Sequence, residues 1–253
     1  MDTPTDRPSP CAHCRDGNAL DFDFSMAFQP IVDLRDGSLF AYEALVRGLD
    51  GQGAGSVLER VTDANRYAFD QACRVKAVEL AARLDVPCFV SINFLPNAVY
   101  QAATCIRATL DAARRFGFPT SRLIFEITEG EELVDKAHLK SIIAEYRKQG
   151  FKTAIDDFGA GYSGLNLLAE FQPDIIKLDM ALIRNIDQDP VREAIVRGIL
   201  GVCQALSIEV IAEGVETSEE LAKLRALGVH LYQGFLFARP AFEQLPEVRW
   251  PAA

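Results

Sequence analysis

Short apolar runs recur along the chain, and polar or glycine-containing segments separate them. Each run has five to seven residues, is rich in β-branched or aromatic side chains and is bounded by turn residues, a pattern typical of buried β-strands. The pattern predicts eight strands, at residues 27–32, 40–46, 88–93, 123–128, 153–157, 175–179, 209–213 and 231–235.

Longer segments with apolar residues at helical spacing lie between most of these strands. The predicted helices cover residues 70–84, 97–116, 132–149, 191–206 and 218–227. Several of them stop at a glycine, as at Gly117, Gly150 and Gly228, which is typical of helix C-termini. Strands that alternate with helices indicate a mainly parallel sheet, and eight strands favour its closure into a barrel.

The connection between the first two strands differs from the others. It is the short segment DLRDGS at 33–38, which contains an Asp-Gly turn signal and has no room for a crossover helix. Such a connection requires an antiparallel hairpin. The predicted fold is therefore α/β, a modified TIM-type (β/α)8 barrel with one antiparallel strand in the first strand pair. Residues 1–24 are predicted to be a poorly ordered leader, and residues 25–253 a single barrel domain.

Charge and hydropathy narrow the function classes. Asp and Glu outnumber Lys and Arg by 36 to 26, which gives a net charge of −10 over 253 residues and argues against binding to duplex nucleic acid. No stretch approaches the roughly 18–20 apolar residues of a membrane-spanning helix. The N-terminus also lacks the basic start and apolar core of a secretory signal, so no membrane partner and a cytoplasmic location are expected.

The cysteines fit a reducing compartment. Four lie in apolar segments, where a reduced Cys behaves as a small hydrophobic residue: Cys73, Cys88, Cys105 and Cys203. The remaining pair, Cys11 and Cys14, encloses His13 in the leader. A zinc site usually needs a second such pair, and the sequence lacks one. Two interpretations stay open: the thiols are incidental in a flexible leader, or they have a metal-binding or redox role.

Polar residues gather where the predicted strands end, the side of an α/β barrel on which chemistry collects. They are Glu43, Arg47, Asn93, Glu126, Glu129, Asp156, Asp157, Lys177, Asp179, Glu213, Glu216 and Gln233. Taken singly, each also fits a helix cap or a solvated loop residue. Taken together, five carboxylates would converge on one barrel mouth beside one lysine. Without cations, the carboxylates of such a cluster would take up protons, or their mutual repulsion would destabilise the site.

Divalent metal is the economical explanation for this cluster. The candidate ligands are carboxylates and the Asn93 carbonyl, a set of oxygen donors that suits Mg²⁺ or Mn²⁺ better than zinc. Asp156 and Asp157 stand side by side, which lets one of them bridge two ions. Gly159 and Gly161 follow, and they allow the backbone to turn tightly beside the ions.

Seven strings now resemble one family in their order and spacing. They are YEALVRG (42–48), SINFLP (91–96), FEITE (125–129), DDFGAGYSGL (156–165), IIKLD (175–179), AEGVE (212–216) and YQGFLFARP (232–240). The chain resembles the EAL domain family of cyclic di-GMP phosphodiesterases over about residues 25–240. The resemblance implies a barrel enzyme that hydrolyses cyclic di-GMP to linear 5′-pGpG with two Mg²⁺ or Mn²⁺ ions. It also implies a homodimer.

The resemblance also implies a role for each matching residue. The first metal would be held by Glu43, Asn93, Glu126 and Asp156, and the second by Asp156, Asp157 and Glu213. The implied catalytic residues are Lys177, Glu213 and Glu43; the implied substrate-binding residues are Arg47, Asp179 and Gln233. Glu129 and Glu216 would support neighbouring loops. Two roles stay open: Glu213 is a general base or a ligand alone, and Lys177 positions water or only neutralises carboxylates.

Two alternatives to an active phosphodiesterase remain. One is a non-hydrolysing cyclic di-GMP receptor, whose relatives generally lack some of the metal-binding acids that this chain retains. The other is a metal-dependent barrel enzyme with a different phosphate ester or enolate as its substrate. One departure from the family pattern is Gly164, which follows Tyr162-Ser163 where a second serine is usual. It lies in a loop for which the resemblance implies a role in dimerisation and switching.

Overall fold

The computed structural model describes residues 20–99, 102–128, 136–161 and 164–251. The strands are β1 (Ser25–Asp33), β2 (Ser38–Arg47), β3 (Phe89–Asn93), β4 (Leu123–Thr128), β5 (Lys152–Phe158), β6 (Ile175–Leu178), β7 (Glu209–Ala212), β8 (Leu231–Tyr232) and β9 (Ala241–Phe242). The α-helices are α1 (Ala54–Leu58), α2 (Arg66–Arg83), α3 (Ala102–Cys105), α4 (Arg107–Phe116), α5 (Lys136–Lys148), α6 (Gly164–Glu170), α7 (Met180–Ile183), α8 (Pro190–Leu206) and α9 (Ser218–Ala226). Short 3₁₀ turns lie at Pro96–Ala98 and Thr120–Arg122.

Strands β1 to β8 close into a barrel. Neighbours from β2 through β8 are parallel, and β1 pairs antiparallel with both β2 and β8. The predicted modified TIM-type barrel, with one reversed strand in the first pair, is thus confirmed. Gly37 forms the hairpin turn with a φ of 71°, and its amide donates to the Asp33 carbonyl over 3.1 Å.

The apolar core has two parts, one inside the barrel and one around it. Inside, inward-facing side chains form an apolar layer that consists of Ile31, Ala41, Ile124, Ala154, Ile175, Ile211 and Leu231, with Phe40 and Phe89 packed against it. A larger apolar layer lies between the strands and the surrounding helices. Side chains two positions apart on a strand face the same way. The next inward residue on each strand therefore lies directly above the apolar layer.

The structure differs from the predicted elements at several points. Residues 97–116 do not form one helix, because Val99 is extended (φ −97°, ψ 102°) after the 3₁₀ turn and separate helices follow at α3 and α4. Strands β6, β7 and β8 are shorter than predicted, so Asp179, Glu213 and Gln233 lie just beyond them. Two-residue strand β9, which pairs with β1 at Ala27 and Phe28, was not predicted.

The described chain begins at Leu20, ahead of the predicted boundary at residue 25. Phe22 and Phe24 are buried, and their ring centroids lie 6.2 and 5.3 Å from that of Phe69 on α2. No helix in the described ranges combines the length and apolar character that crossing a bilayer demands. Cys11, His13 and Cys14 lie outside the described residues.

Candidate active site

A polar layer lies two residues beyond the apolar floor of the barrel. On the parallel strands the pairs are Ala41–Glu43, Ile124–Glu126, Ala154–Asp156, Ile175–Lys177, Ile211–Glu213 and Leu231–Gln233. On the reversed strand β1 the same step runs backwards, from Ile31 to Gln29, which pairs in register with Glu43. The alternation of side chains along each strand thus places a charged layer at the barrel mouth, directly above the apolar layer.

Lys177 lies at the centre of this layer and is 1% exposed. Its Nζ contacts four carboxylates: Glu213 Oε1 at 2.7 Å, Glu126 Oε2 at 2.8 Å, Asp156 Oδ1 at 2.9 Å and Glu43 Oε2 at 3.3 Å. One ammonium group therefore faces four acids, in a place where water contributes little screening.

Burial and mutual repulsion shift the pKa values of these groups. Burial alone would lower the pKa of Lys177, but the surrounding carboxylates raise it well above its usual range. Burial is also the main reason that the pKa values of Glu126 and Glu213 rise, and neighbouring carboxylates add to the rise against the opposing effect of Lys177. The cluster carries more acid than its single lysine can neutralise.

Asp157 joins the cluster through an irregular backbone. The register of β5 against β6 shifts between Ile155 and Phe158, and Asp157 has a positive φ of 54°. An ideal strand would turn adjacent side chains to opposite faces, but here both Asp156 and Asp157 line the same cavity. Burial, followed by the charges of Asp156 and Asp179, raises the pKa of Asp157 to about 6.

The carboxylates fall into two groups that share Asp156. One is Glu43, Glu126 and Asp156; the other is Asp156, Asp157 and Glu213; in each, the nearest oxygens lie within 4.8 Å of one another. Asn93 adjoins the first group, because its Nδ2 donates to Glu43 Oε1 over 3.0 Å. All-oxygen donor sets that share one carboxylate fit a pair of hard divalent cations such as Mg²⁺ or Mn²⁺.

Two further polar residues, Gln29 and Ser91, belong to the site but were not singled out in the sequence. Gln233 Nε2 donates to Glu43 Oε2 over 2.7 Å and to Gln29 Oε1 over 3.2 Å, and Gln29 Nε2 donates to the Ala238 carbonyl over 3.2 Å. The Ser91 hydroxyl donates to Glu126 Oε1. Both could have been found from the sequence, because each is a polar residue within an apolar strand, at a position that alternation places on the inside of the barrel.

The rim of the cavity is formed by residues that follow the strands. The Asp179 side chain accepts from the Ala181 amide and caps α7. Glu216 lies 2.9 Å from Arg184 Nη1, and this hydrogen bond is the main reason that the pKa of Glu216 is lowered. Gly159, directly after β5, has a φ of 97°, a backbone conformation that favours glycine, and a Cβ there would also lie 2.4 Å from Leu182 Cδ1 on α7.

The structure does not bring every predicted residue into the cavity. The Arg47 guanidinium donates to the Val46 carbonyl over 2.7 Å, and the residue does not line the cavity, although burial lowers its pKa and Glu43 opposes this effect. Gly161 lies in an exposed bend after β5. Glu129 is outside the described residues.

Asp157→Asn is expected to stabilise the metal-free protein by about 1 kcal/mol, because it removes a half-buried charge from an overcharged cluster. Asn also tolerates the left-handed backbone. Urea unfolding in EDTA measures the change. Asp85→Asn is the matched control, since Asp85 has a φ of 52° but is exposed. An Asp157→Asn variant that gains no more stability than the control would contradict the repulsion argument.

Two solved structures resemble this chain closely. A standalone versatile EAL protein from Vibrio cholerae O395, solved in a c-di-GMP-bound form, is 56% identical, with a TM-score of 0.89 over 91% of this chain and 98% of its own. BlrP1 of Klebsiella pneumoniae, solved as a manganese and cyclic di-GMP complex, is 33% identical, with a TM-score of 0.87 over 96% of this chain and 68% of its own.

Curated relatives cover most of this chain as well. The blue light- and temperature-regulated antirepressor BluF of Escherichia coli K12 is 32% identical over 226 residues, which are 89% of this chain and 56% of BluF. The cyclic di-GMP phosphodiesterase PA2567 of Pseudomonas aeruginosa is 30% identical over 233 residues, 88% of this chain and 39% of PA2567. The chain thus spans about half or less of these relatives. The EAL domain model matches residues 18–240, and this chain therefore belongs to the EAL domain family.

Proposed function

We propose that this chain is a metal-dependent phosphodiesterase that hydrolyses cyclic di-GMP to linear 5′-pGpG. The observation that carries the proposal is the pair of carboxylate groups that share Asp156 at the barrel mouth. Relatives support the choice of substrate, since the Vibrio cholerae protein binds c-di-GMP and PA2567 is named a cyclic di-GMP phosphodiesterase. The acids to which the resemblance assigns metal binding are all present in this chain: Glu43, Glu126, Asp156, Asp157 and Glu213.

In this proposal, two Mg²⁺ or Mn²⁺ ions occupy the two carboxylate groups. Glu43, Asn93, Glu126 and Asp156 would hold one ion, and Asp156, Asp157 and Glu213 the other. The manganese complex of BlrP1 supports this choice of metal. When bound, such ions lower the pKa of water and stabilise charge on a departing oxygen, as phosphodiester hydrolysis by in-line attack requires.

Lys177 orients the attacking water in the proposed reaction. Its Nζ lies within 3.3 Å of carboxylates on or just beyond four strands, which fixes the direction of its three N–H donors. In the proposal, one of these donors turns from a carboxylate to the water when cations neutralise the carboxylates. Glu213 Oε1, 2.7 Å from Nζ, is the nearest acceptor and is assigned as a metal ligand that also receives the proton released by water. Because Nζ and Oε1 are themselves 2.7 Å apart, no water fits between them, and the ammonium and the carboxylate would contact the same water from one side.

Substrate contacts are assigned to residues around the cavity, which has a volume of about 290 Å³. Gln233 Oε1 is buried and has no hydrogen-bond partner within the described part of the chain, so it is free to accept from the substrate. Asp179 lines the same cavity and can accept from a guanine N–H. Arg47 does not line the cavity and donates to the Val46 carbonyl, but it lies on the face of β2 that carries Glu43. In the proposal, it exchanges this bond for one to a substrate phosphate, as the family resemblance implies.

A chromatographic turnover assay tests the proposal. Purified protein is incubated with cyclic di-GMP and Mn²⁺ or Mg²⁺, with EDTA as the metal-free control, and linear pGpG is quantified. Metal-dependent pGpG is the expected result. Binding of cyclic di-GMP without product would instead favour the receptor function, whereas neither binding nor product would exclude cyclic di-GMP as the ligand.

An exposed apolar face on α8 supports the proposed homodimer. Val191, Ile195, Val202 and Leu206 are exposed and recur at spacings of four and seven residues, which places them on one side of the helix. A second copy of the same helix, packed about a two-fold axis, would cover this stripe. The single barrel domain at 25–253 and a cytoplasmic location remain predictions of the same proposal.

Ile195→Lys is expected to convert the dimer into a monomer, because it places a charge in the middle of the α8 stripe. Light scattering coupled to size exclusion gives the mass directly. Leu58→Lys is the matched control, since Leu58 is similarly exposed but lies on α1. A parent chain that is already monomeric, or an Ile195→Lys variant that remains dimeric, would exclude α8 as the interface.

A further inference from the structure

An ion pair on α2 is buried outside the site described so far. Asp70 and Arg74 lie one helical turn apart, and their side chains are 1% and 0% exposed. Burying two charges costs more than their attraction returns unless their remaining hydrogen-bonding groups are satisfied, and a buried pair can often be replaced by apolar residues without loss. The other contacts of the Asp70–Arg74 pair therefore indicate its role.

The pair connects three parts of the fold. Arg74 Nη2 donates to Asp70 Oδ2, and Arg74 Nη1 donates to the Tyr146 hydroxyl on α5 over 3.2 Å. The second carboxylate oxygen, Asp70 Oδ1, accepts from the backbone amide of Leu95 over 3.0 Å. This last bond extends from the helix layer to the segment that follows β3.

Leu95 is two residues beyond Asn93, the proposed metal ligand at the end of β3. Between them, the Phe94 ring points away from the barrel into an aromatic cluster, 5.8 Å from Phe125 and 5.4 Å from Tyr146. The Phe94 amide donates to the Glu126 carbonyl over 3.0 Å. Two successive backbone amides after Asn93 are therefore hydrogen-bonded. The Phe94 amide donates to the neighbouring strand β4, and the Leu95 amide donates to the Asp70 side chain.

We propose that the Asp70–Arg74 pair is a positioning device for Asn93. Arg74 fixes the Asp70 carboxylate, Asp70 fixes the Leu95 amide, and the anchored backbone holds the Asn93 side chain against Glu43, where its Nδ2 donates over 3.0 Å. An apolar pair would fill the same space but would have no acceptor for Leu95. The inference rests on the proposed metal site, since Asn93 matters through the cation it helps to bind.

Two double variants separate positioning from stability. Asp70→Asn/Arg74→Met removes both charges but keeps an oxygen acceptor for the Leu95 amide, whereas Asp70→Leu/Arg74→Met removes the acceptor too. Mn²⁺ binding to the full chain is measured by titration calorimetry. We expect the Asn double variant, which keeps the acceptor but lacks the guanidinium that fixes it, to lose about three-fold in affinity. The Leu double variant should lose about ten-fold or more at one site, the range for groups that orient a ligand.

Asn93→Ala completes the test as a double-mutant cycle. In the Asn93→Ala background, the Leu double variant should lose no further Mn²⁺ affinity. If it loses as much affinity without Asn93 as with it, the inference is overturned. Equal Mn²⁺ affinity in the Asn and Leu double variants would overturn it as well. A parent chain that binds no Mn²⁺ is a different failure, that of the metal site itself. The side-chain amide resonances of Asn93, recorded without metal, should shift clearly in the Leu variant and much less in the Asn variant.

Tyr146→Phe is a milder test if the Leu double variant does not fold. It keeps the aromatic ring that packs on Phe94 and removes only the hydroxyl to which Arg74 donates. We expect a two- to three-fold weaker Mn²⁺ affinity that disappears in the Asn93→Ala background. An unchanged affinity in a folded Tyr146→Phe variant would overturn the inference.

Discussion

Lys177→Met is expected to destabilise the metal-free protein by about 3–5 kcal/mol, the range for removing one partner of a buried ion pair. Lys177 is 1% exposed and lies within 3.3 Å of four carboxylates, so the variant leaves these acids without a buried counter-charge. Mn²⁺ should restore more stability to the variant than to the parent, because divalent ions supply the missing positive charge. Urea unfolding with EDTA and with Mn²⁺ measures both effects.

Lys223→Met is the matched control for this prediction. Lys223 contacts Glu193 over 2.8 Å, but both side chains are partly exposed, and a surface pair of this kind contributes little to stability. We expect a much smaller change, with no dependence on Mn²⁺. A Lys177→Met variant as stable as the parent in EDTA would mean that the carboxylates hold protons and need no cation. The argument for metal from charge balance would then fail.

The barrel could be predicted because its strands carry a strong local pattern. Each buried strand is a short apolar run between turn signals, and the segment at 33–38 is too short to join parallel neighbours. The two-residue strand β9 has no such pattern, since it exists only where β1 offers a partner at Ala27 and Phe28. The helix predicted at 97–116 divides because Val99 is buried in an extended conformation.

The site could be predicted only in part. Strand-end acids are visible in the sequence, and the structure brings Glu43, Glu126, Asp156, Asp157 and Glu213 into two groups that share Asp156. The register shift that turns Asp157 to the side of Asp156 depends on pairing with β6, which no local pattern records. The sequence does not distinguish Asp70 and Arg74 from an ordinary surface pair at i, i+4 spacing, because burial of a helix face depends on what packs against it.

Glu43→Gln is expected to reduce pGpG formation by about 10³-fold, the upper range for removing one preorganised charged group from an active site. The Glu43 carboxylate accepts from Asn93 and Gln233 and lies 3.3 Å from Lys177 Nζ. The N–H₂ group of a glutamine there would face these hydrogen-bond donors. Glu43 belongs to one carboxylate group and not to the other. Mn²⁺ stoichiometry should therefore fall from two ions to one, as measured by calorimetry beside the turnover assay.

Glu216→Gln provides the comparison, because Glu216 lines the same cavity but contacts Arg184 and belongs to neither carboxylate group. It should keep both ions and most of the activity. If Glu43→Gln also kept two ions while losing turnover, Glu43 would act on the substrate or on Lys177 and not as a metal ligand. If it kept full turnover, the reaction would not depend on the first carboxylate group, and the two-metal proposal would have to be abandoned.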